Sequence, residues 1–429
     1  MKPTLIVGGG FSGLVLADML LDKGKNVIVV EKERTLGGLG KSYDYRGYKF
    51  DVGPHMFFIA DEAFGKLIND VLGDGIIKLK GYSGVWLFGR YFDWPLRVDV
   101  VLNLPPRIIL GVLKDLIYRK KFSGDDFRAY MLNKYGRTLY DVDFKPYTEK
   151  FLGLKCDELH SDWAKAGVNR QTISKARVDS LFSLMKATFK PSTIDLYHAK
   201  HGNGELIEKL ALRIRKKGGK ILTGATISKV QFSKDAVAAV NLKGKTVPVE
   251  RLVWTAPFSE IFPLFGMDTP QLSYLNLILF NIELNSSPKL DYEWTYYPPS
   301  DIIFNRVTNV PLFGDNLAPP GKGALCVEVS CLPTDPIWNN PQKILKKVVD
   351  DLIKVRFVGA ASQIKAVHIE KIEHAYPLYK LDYRETLHAC QAKLSKYNNL
   401  HMAGRSGTFW YANMHHLYPE LRKLAEELS

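Results

Sequence analysis

The residues with the most distinctive spacing for chemistry lie near the start of the chain. An apolar run, Thr4 to Val7, is followed by Gly8, Gly10 and Gly13, and Glu31 stands eighteen residues after Gly13. In this pattern the first glycine permits a tight strand-to-helix turn, the second lets a pyrophosphate approach the backbone, and the third lets the helix pack on the strand. The spacing predicts a site for a dinucleotide.

A strand, a helix and a second strand must position these residues. Phe11 and Ser12 begin the predicted helix, whose free amides and macrodipole favour an anionic pyrophosphate. Glu31 and Lys32 follow the second strand, where the carboxylate of Glu31 can accept hydrogen bonds from a ribose diol. The glycine pair Gly37-Gly38 comes soon afterwards and resembles the flavin-binding amine oxidase and desaturase superfamily. FAD is therefore favoured over NAD.

Composition predicts a globular chain with two or three domains, since 46% of the 429 residues are hydrophobic and 24% are charged. The apolar stretch from Val100 to Tyr118 contains prolines and charges, which argues against an integral membrane segment. The chain shows no secretory signal, so the expected location is the cytoplasm. Its four cysteines lack metal-site spacing, so we expect neither a disulfide framework nor a metal site.

The formal net charge of +14 indicates an anionic partner. The basic residues occur in short groups between apolar helix positions, as on solvated helix faces, so nucleic-acid binding is not expected. A phosphorylated substrate would use part of this charge. Peripheral membrane contact through the basic, amphipathic stretch from Arg107 to Lys121 stays open, as does a homodimer.

The apolar periodicity divides the chain into three interleaved parts and predicts an α/β fold. Residues 1–65, 197–257 and 400–429 form the predicted discontinuous, Rossmann-like FAD-binding domain. Residues 66–196 form a mainly helical substrate cap, and residues 258–399 form a β-rich substrate domain with a β-sheet.

Several distant segments resemble the UDP-galactopyranose mutase family, within the FAD-dependent amine oxidase and protoporphyrinogen oxidase-like superfamily. Arg170 stands twelve residues after Glu158, and His55 follows Gly53 in a Gly-x-His pattern. The other matching segments are Pro146-Tyr147-Thr148-Glu149-Lys150, Phe304-Asn305-Arg306, Tyr376-Pro377-Leu378, Gly404-Arg405 and Tyr411-Ala412-Asn413-Met414-His415. Their order and spacing are more specific than any one of them.

This resemblance implies an isomerase that interconverts pyranose and furanose forms of a nucleotide sugar. In that family reduced FAD acts as the nucleophile at the anomeric carbon, and NADPH or another reductant donates electrons transiently. Arg170, Arg306 and His55 are the implied catalytic residues. The implied substrate-binding residues are Tyr147, Phe151, Leu152, Arg170, Arg306, Tyr376, Tyr379 and His415. The predicted cofactor-binding residues are Gly8, Gly10, Phe11, Ser12, Gly13, Glu31, Lys32, Gly38, Leu39, His55, Ile227, Gly404, Arg405, Asn413 and Met414.

Two departures from the mutase pattern leave the substrate open. Leu152 stands where the family has a tryptophan that stacks on uracil, and Phe58 replaces a second histidine. UDP-galactose is the leading candidate, and another nucleotide-hexose or a lipid-linked sugar is an alternative. Two other functions remain open, namely an FAD-dependent oxidoreductase of the amine oxidase, protoporphyrinogen oxidase or desaturase type, and a flavin-binding protein without catalysis.

Overall fold

The computed structural model describes residues 2–59, 61–94, 103–118, 120–168, 195–314 and 316–429. The strands are β1 Thr4–Val7, β2 Val27–Val30, β3 Ser42–Tyr45, β4 Tyr48–Asp51, β5 Phe57–Phe58, β6 Ile76–Leu79, β7 Ser83–Leu87, β8 Arg90–Trp94, β9 Leu196–Ala199, β10 Lys220–Leu222, β11 Ile227–Ser233, β12 Ala236–Leu242, β13 Lys245–Pro248, β14 Arg251–Trp254, β15 Tyr274–Leu284, β16 Trp294–Tyr296, β17 Arg306–Asn309, β18 Gly323–Cys331, β19 Ile364–Pro377 and β20 Leu400–Met402. The helices are α1 Phe11–Asp22, α2 Glu62–Leu72, α3 Pro106–Ile117, α4 Phe127–Leu139, α5 Lys145–Leu152, α6 Gly204–Lys216, α7 Pro336–Asn339, α8 Leu345–Lys354, α9 Tyr383–Leu394, α10 Gly404–Gly407 and α11 Met414–Glu427.

A parallel sheet of five strands, in the order β10-β2-β1-β14-β20, organises the cofactor side of the molecule. Its strands come from three separated stretches of sequence, and β1 pairs in parallel with both β2 and β14. The central strands are short apolar runs because helices cover the sheet. Helix α1 packs against α6 and α11, and most of its residues are buried. The predicted α/β fold class is confirmed.

A second, mainly antiparallel sheet has the order β19-β15-β18-β17-β16-β7-β8. Every residue of its strand β15 is buried, since the sheet packs on both faces. The strands β7 and β8 lie inside the segment predicted as a helical cap, yet β7 pairs with β16 of this sheet. Residues 83–94 are rich in aromatic side chains, which favour strands, and this explains the difference. The limits of the three domains stay a prediction.

The described part of the predicted cap also contains α3, α4 and α5, with a π-helical turn, Tyr140–Phe144, between the last two. In the described ranges no helix has the length and apolarity needed to cross a bilayer. Those ranges also hold no group of three or more His, Cys, Asp or Glu residues placed to bind a metal ion. The four cysteines are buried and unbridged.

Candidate active site

The turn between β1 and α1 depends on two glycines that tolerate no side chain. Gly8 has a φ of 109°, and a Cβ there would lie 2.3 Å from Oγ1 of Thr255. A Cβ on Gly13 would lie 2.0 Å from the carbonyl oxygen of Gly8. These contacts fix the helix against the strand, so the first-turn amides of α1 face the carboxyl end of the parallel sheet.

Glu31, at the end of β2, is a buried carboxylate with both oxygens oriented by backbone amides. Oε2 accepts from the Gly9 N–H at 2.7 Å, and Oε1 accepts from the Glu33 N–H at 2.8 Å. Each oxygen keeps a second lone pair. The carboxylate can therefore accept two further hydrogen bonds from a vicinal diol.

A cleft of about 790 Å³, called here the main cleft, lies at the carboxyl ends of β1, β2 and β14. Of the predicted cofactor-binding residues, it is lined by Gly8, Gly10, Phe11, Ser12, Glu31, Lys32, Gly38, Leu39, His55, Ile227, Arg405, Asn413 and Met414. Gly13 and Gly404 are not among the lining residues. Gly404 has a φ of 76°, and its Cβ would lie 2.6 Å from Cβ of Ser12, so it permits close packing behind the cleft wall.

His55 brings a neutral imidazole to the main cleft. Burial, followed by the charges of Arg405 and Arg306, lowers the pKa of His55 to about 4. Its Nδ1 atom is buried and has no hydrogen-bond partner among the described residues. The side-chain amide of Asn203 donates to the carbonyl oxygen of His55 at 2.9 Å and holds the backbone in place. An uncharged ring nitrogen is therefore available to a bound molecule.

Arg306 lies behind Gly53 in a buried ion pair with Glu328. Nε donates to Oε1 at 2.6 Å, and a terminal N–H donates to Oε2 at 2.7 Å. The two residues face each other across β17 and β18. Burial opposes the charge of Arg306, but Glu328 holds its pKa well above the ordinary value. Arg306 is a permanent cation whose charge is balanced from inside the protein.

Six aromatic residues, called here the aromatic cluster, connect Arg306 to Arg405. They are Tyr147, Phe151, Trp163, Tyr296, Tyr376 and Tyr411. Tyr147 stacks on Phe151 with ring centroids 5.7 Å apart, and Trp163 stacks on Tyr411 at 5.1 Å. The guanidinium carbon of Arg405 lies 5.0 Å from the ring centroid of Tyr376.

Three tyrosines of this cluster, Tyr147, Tyr296 and Tyr376, keep their hydroxyl protons because their pKa values are raised. Burial raises the pKa of Tyr147 and of Tyr376, and the charge of Arg306 offsets only part of that effect. Burial likewise raises the pKa of Tyr296, with a smaller opposing effect from Arg306. Phenol O–H groups beside a guanidinium are hydrogen-bond donors suited to an anionic group.

Lys150 ties the helix that carries Tyr147 to the chain that leads into Arg306. Its Nζ atom, with three N–H donors, lies within hydrogen-bond distance of four backbone carbonyl oxygens, those of Tyr297, Pro299, Ile302 and Phe304, the last three at 3.0 Å. Such a cage fixes α5 against the segment before β17. The relative placement of Tyr147 and Arg306 therefore depends on one lysine, whose pKa burial lowers to about 7.

A family model described as flavin containing amine oxidoreductase matches residues 11–415. The chain belongs to this family. The 4,4'-diapolycopen-4-al dehydrogenase of Metabacillus indicus is 23% identical over 84% of this chain and 81% of its own length. A probable UDP-galactopyranose mutase of Klebsiella pneumoniae is 28% identical over 37% of this chain and 43% of its own length.

Among solved structures, that of reduced UDP-galactopyranose mutase superposes on this flavin-containing amine oxidoreductase family member with a TM-score of 0.86. The match covers 100% of this chain and 94% of the other, with 19% sequence identity. At this identity the similarity establishes the fold, and the reaction has to be argued from the site.

The main cleft fits the flavin dinucleotide that membership in the family implies. Gly10 offers no side chain where α1 begins, Glu31 presents two oriented oxygens, and Ile227 adds an apolar wall. At the same cleft, the buried Nδ1 of His55 lacks a partner among the described residues. Clefts of this size are typical of cofactor sites. Amides, carboxylate and imidazole would hold the pyrophosphate, the ribose and the ring system.

The structure separates the predicted substrate residues into two groups. Tyr147, Phe151 and Tyr376 join the aromatic cluster near Arg306. Leu152 is fully buried in the core, and the hydroxyl of Tyr379 accepts a hydrogen bond from the Tyr411 N–H at 2.7 Å. The side chain of Leu152 is therefore used for core packing, and the hydroxyl of Tyr379 is used in a hydrogen bond to the backbone.

Two predicted substrate residues remain, His415 and Arg170. His415 is absent from the cleft lining, and its ring packs 4.9 Å from that of Phe58, which does line the cleft. Arg170 lies outside the described residues. The binding roles of both residues remain predictions.

Sequence reasoning missed several residues of the site. Glu328 could have been suspected, because a lone carboxylate in the apolar run 324–331 needs a buried partner. Trp163 lies between Glu158 and Arg170, two residues that carry the family resemblance, but its own spacing is not distinctive. Trp338 and Lys371 also line the main cleft, with the ammonium of Lys371 4.3 Å from the Trp338 ring centroid.

Proposed function

We propose that this protein is an FAD-dependent isomerase that interconverts the pyranose and furanose forms of a nucleotide sugar. The observation that supports this most is a group of donors called here the Arg306 cluster, in which Arg306 interacts electrostatically with the hydroxyls of Tyr147, Tyr296 and Tyr376. It adjoins the main cleft through Arg405, a lining residue whose guanidinium carbon lies 5.0 Å from the ring centroid of Tyr376. Reduced FAD, when bound, would supply the nucleophile at the anomeric carbon of the sugar.

The residues of the Arg306 cluster and His55 have separate tasks in this proposal. Tyr147 and Tyr376 donate hydrogen bonds to the oxygens of the leaving diphosphate. Arg306 uses two of its five N–H donors on Glu328, and another part of its guanidinium can donate to the same oxygens. His55 stays uncharged at neutral pH, so its free ring nitrogen can accept or donate one hydrogen bond without repelling a cationic centre.

The polar groups of the Arg306 cluster also argue against a long hydrocarbon substrate. A polyene placed beside them would offer no hydrogen-bond acceptor to the tyrosine hydroxyls or to the N–H groups of Arg306 that Glu328 leaves free. An unpaired buried polar group costs about 1–3 kcal/mol. A polyphosphate provides acceptors for all of these donors, and the net charge of +14 favours its approach.

The decisive experiment incubates chemically reduced, anaerobic protein with UDP-galactofuranose and follows UDP-galactopyranose by chromatography. The expected result is conversion with the reduced protein and none with the oxidised control. UDP-glucose and other nucleotide-hexoses in parallel reactions identify the base and the sugar, because Leu152 leaves the uracil contact open. Absence of conversion with every nucleotide-hexose would reject the isomerase.

The second candidate is an FAD-dependent oxidoreductase. It is favoured by the ion pair of Arg306 with Glu328, which cancels the charge that a diphosphate would use, and by the similarity to the 4,4'-diapolycopen-4-al dehydrogenase over most of the chain. Arg170→Ala distinguishes the two. The isomerase predicts loss of turnover with flavin retained, whereas unchanged oxidation of a substrate in that variant supports the oxidoreductase.

A further inference from the structure

We propose that helix α3 docks this protein onto the surface of an anionic lipid bilayer. The helix exposes an apolar face made of Leu110, Leu113, Ile117 and the following Tyr118, called here the α3 surface. Leu110, Ile117 and Tyr118 are 67%, 73% and 71% exposed, and Leu113 is 41% exposed. Leu110, Leu113 and Ile117 are spaced at i, i+3 and i+7, so they project from one side of the helix.

The exposed charged residues described between Arg107 and Lys121 have one sign. Arg107, Lys114, Lys120 and Lys121 are exposed, and none of them pairs with a carboxylate within the part of the chain that the structure describes. Asp115 is the acid of this stretch, and it is turned inward, where its Oδ2 accepts from the Thr138 N–H at 2.6 Å. The solvent-facing side of α3 is therefore apolar and cationic.

This combination fits a bilayer surface better than a second copy of the chain. Two α3 surfaces brought together would oppose two sets of lysines and arginines, and like charges repel. An anionic membrane accepts the leucines and isoleucine into the headgroup and acyl boundary, while lysine and arginine side chains reach the lipid phosphates. Twelve residues span about 18 Å, which suits a helix lying in the interface.

The opposite side of α3 is anchored to the fold. Val112 is buried, and Gly111 lies so close to α4 that a Cβ there would be 2.7 Å from Oγ1 of Thr138. Close packing of this kind holds the exposed side chains outward when the protein is free in solution. The surface is thus ready to bind without a change in the fold.

The test is co-sedimentation of the flavin-loaded protein with vesicles of phosphatidylcholine, or of phosphatidylcholine mixed equally with phosphatidylglycerol. We expect binding to the anionic vesicles and little to the neutral ones. The double variant Leu110→Glu and Ile117→Glu should lower the partition coefficient by about tenfold or more, because it removes apolar contact and adds repulsion. A matched control, Leu212→Glu with Leu381→Glu, adds the same charge at other exposed leucines and should bind as the wild type does.

A second variant guards against misfolding of the first. Lys120→Glu with Lys121→Glu leaves the apolar side chains intact and should weaken binding to anionic vesicles by a similar factor. Flavin absorbance and thermal unfolding verify the fold of each variant. Equal binding of wild type and both α3 variants would overturn the proposal, as would failure of the wild type to bind. A wild-type dimer that the Leu110→Glu and Ile117→Glu changes dissociate, without any vesicle binding, would show that a second copy occupies the surface.

Discussion

The main cleft and the aromatic cluster are built in different ways, although they adjoin each other. The turn of the cleft is made from residues close in sequence, and its shape depends on backbone amides and glycines such as Gly8 and Gly13. The aromatic cluster joins side chains from α5, β16, β19, the segment before α11 and Trp163, which follows α5. Local sequence can therefore specify the turn, whereas the aromatic cluster exists only when the whole chain has folded.

The largest expected effect comes from a methyl group placed in the β1-α1 turn. In Gly13→Ala the new Cβ would meet the Gly8 carbonyl oxygen at 2.0 Å, so strand and helix must separate. We expect loss of bound flavin and of most soluble protein, measured by flavin absorbance after purification and by circular dichroism.

Gly10→Ala is the matched control for that change. The nearest atom to its Cβ is the carbonyl oxygen of Gly37 at 3.6 Å, an ordinary contact. The fold should survive, while the affinity for FAD falls by about tenfold or more because the methyl occupies the space of the pyrophosphate. Full flavin occupancy in purified Gly10→Ala protein, with unchanged affinity, would show that the dinucleotide does not approach this backbone.

The predictability of the two regions follows from this difference. Glu31 could be placed in the cleft from its spacing alone, since β1, α1 and β2 leave little freedom in where the next residue lies. Glu328 could not be assigned to Arg306 in that way, because their contact requires the register of β17 against β18. A pattern of residue types does not fix the pairing of two strands.

The position of a residue within a segment that resembles the family did not predict what its side chain contacts. Phe151 and Leu152 are neighbours in sequence, but they lie on different sides of α5. Phe151 joins the aromatic cluster, whereas Leu152 packs into the core. Lys150, in the same phrase, turned out to bind four carbonyl oxygens of a distant segment. Only the orientation of α5 against the seven-stranded sheet decides which of these side chains faces the aromatic cluster.

Breaking the Arg306–Glu328 pair tests how far the stability of the Arg306 cluster depends on long-range contacts. Glu328→Gln leaves a buried guanidinium without its counter-charge, and we expect the free energy of unfolding to fall by about 3–5 kcal/mol. Urea unfolding of the flavin-loaded protein measures this loss. The control Asp350→Asn removes the partner of Lys346 in an exposed pair and should cost less than about 1 kcal/mol. Similar losses for the two variants would mean that the buried pair has no special role.

His55 connects the two regions, and its effect depends on pH. The pKa of His55 is about 4 in the folded protein, against 6.5 ordinarily. Between these values the unfolded chain binds more protons, so stability falls as the pH falls from about 6.5 to about 4 and this contribution is constant above 6.5. The maximum loss is about 3 kcal/mol.

The comparison of wild type with His55→Asn isolates that contribution, because the other titrating groups are shared. The stability of the wild type relative to His55→Asn should be constant above pH 6.5 and should fall by up to about 3 kcal/mol as the pH falls to about 4. Parallel pH profiles for the two proteins would show that His55 keeps an ordinary pKa and that the cleft is open to water at this point.

The smallest change removes one hydroxyl from the aromatic cluster. Tyr376→Phe keeps the ring contacts with Phe151 and Arg405, so stability should change by less than about 1 kcal/mol. If this hydroxyl donates to a diphosphate, the Kd for UDP should rise by about 10- to 100-fold, as expected for a hydrogen bond to a charged acceptor. Flavin absorbance during UDP titration measures the Kd. Tyr379→Phe, whose hydroxyl accepts from the backbone of Tyr411, should leave UDP affinity within a few-fold of wild type. Equal UDP affinity in Tyr376→Phe and wild type would place the diphosphate elsewhere, and the aromatic cluster would then be a structural support for the cleft rather than part of the substrate site.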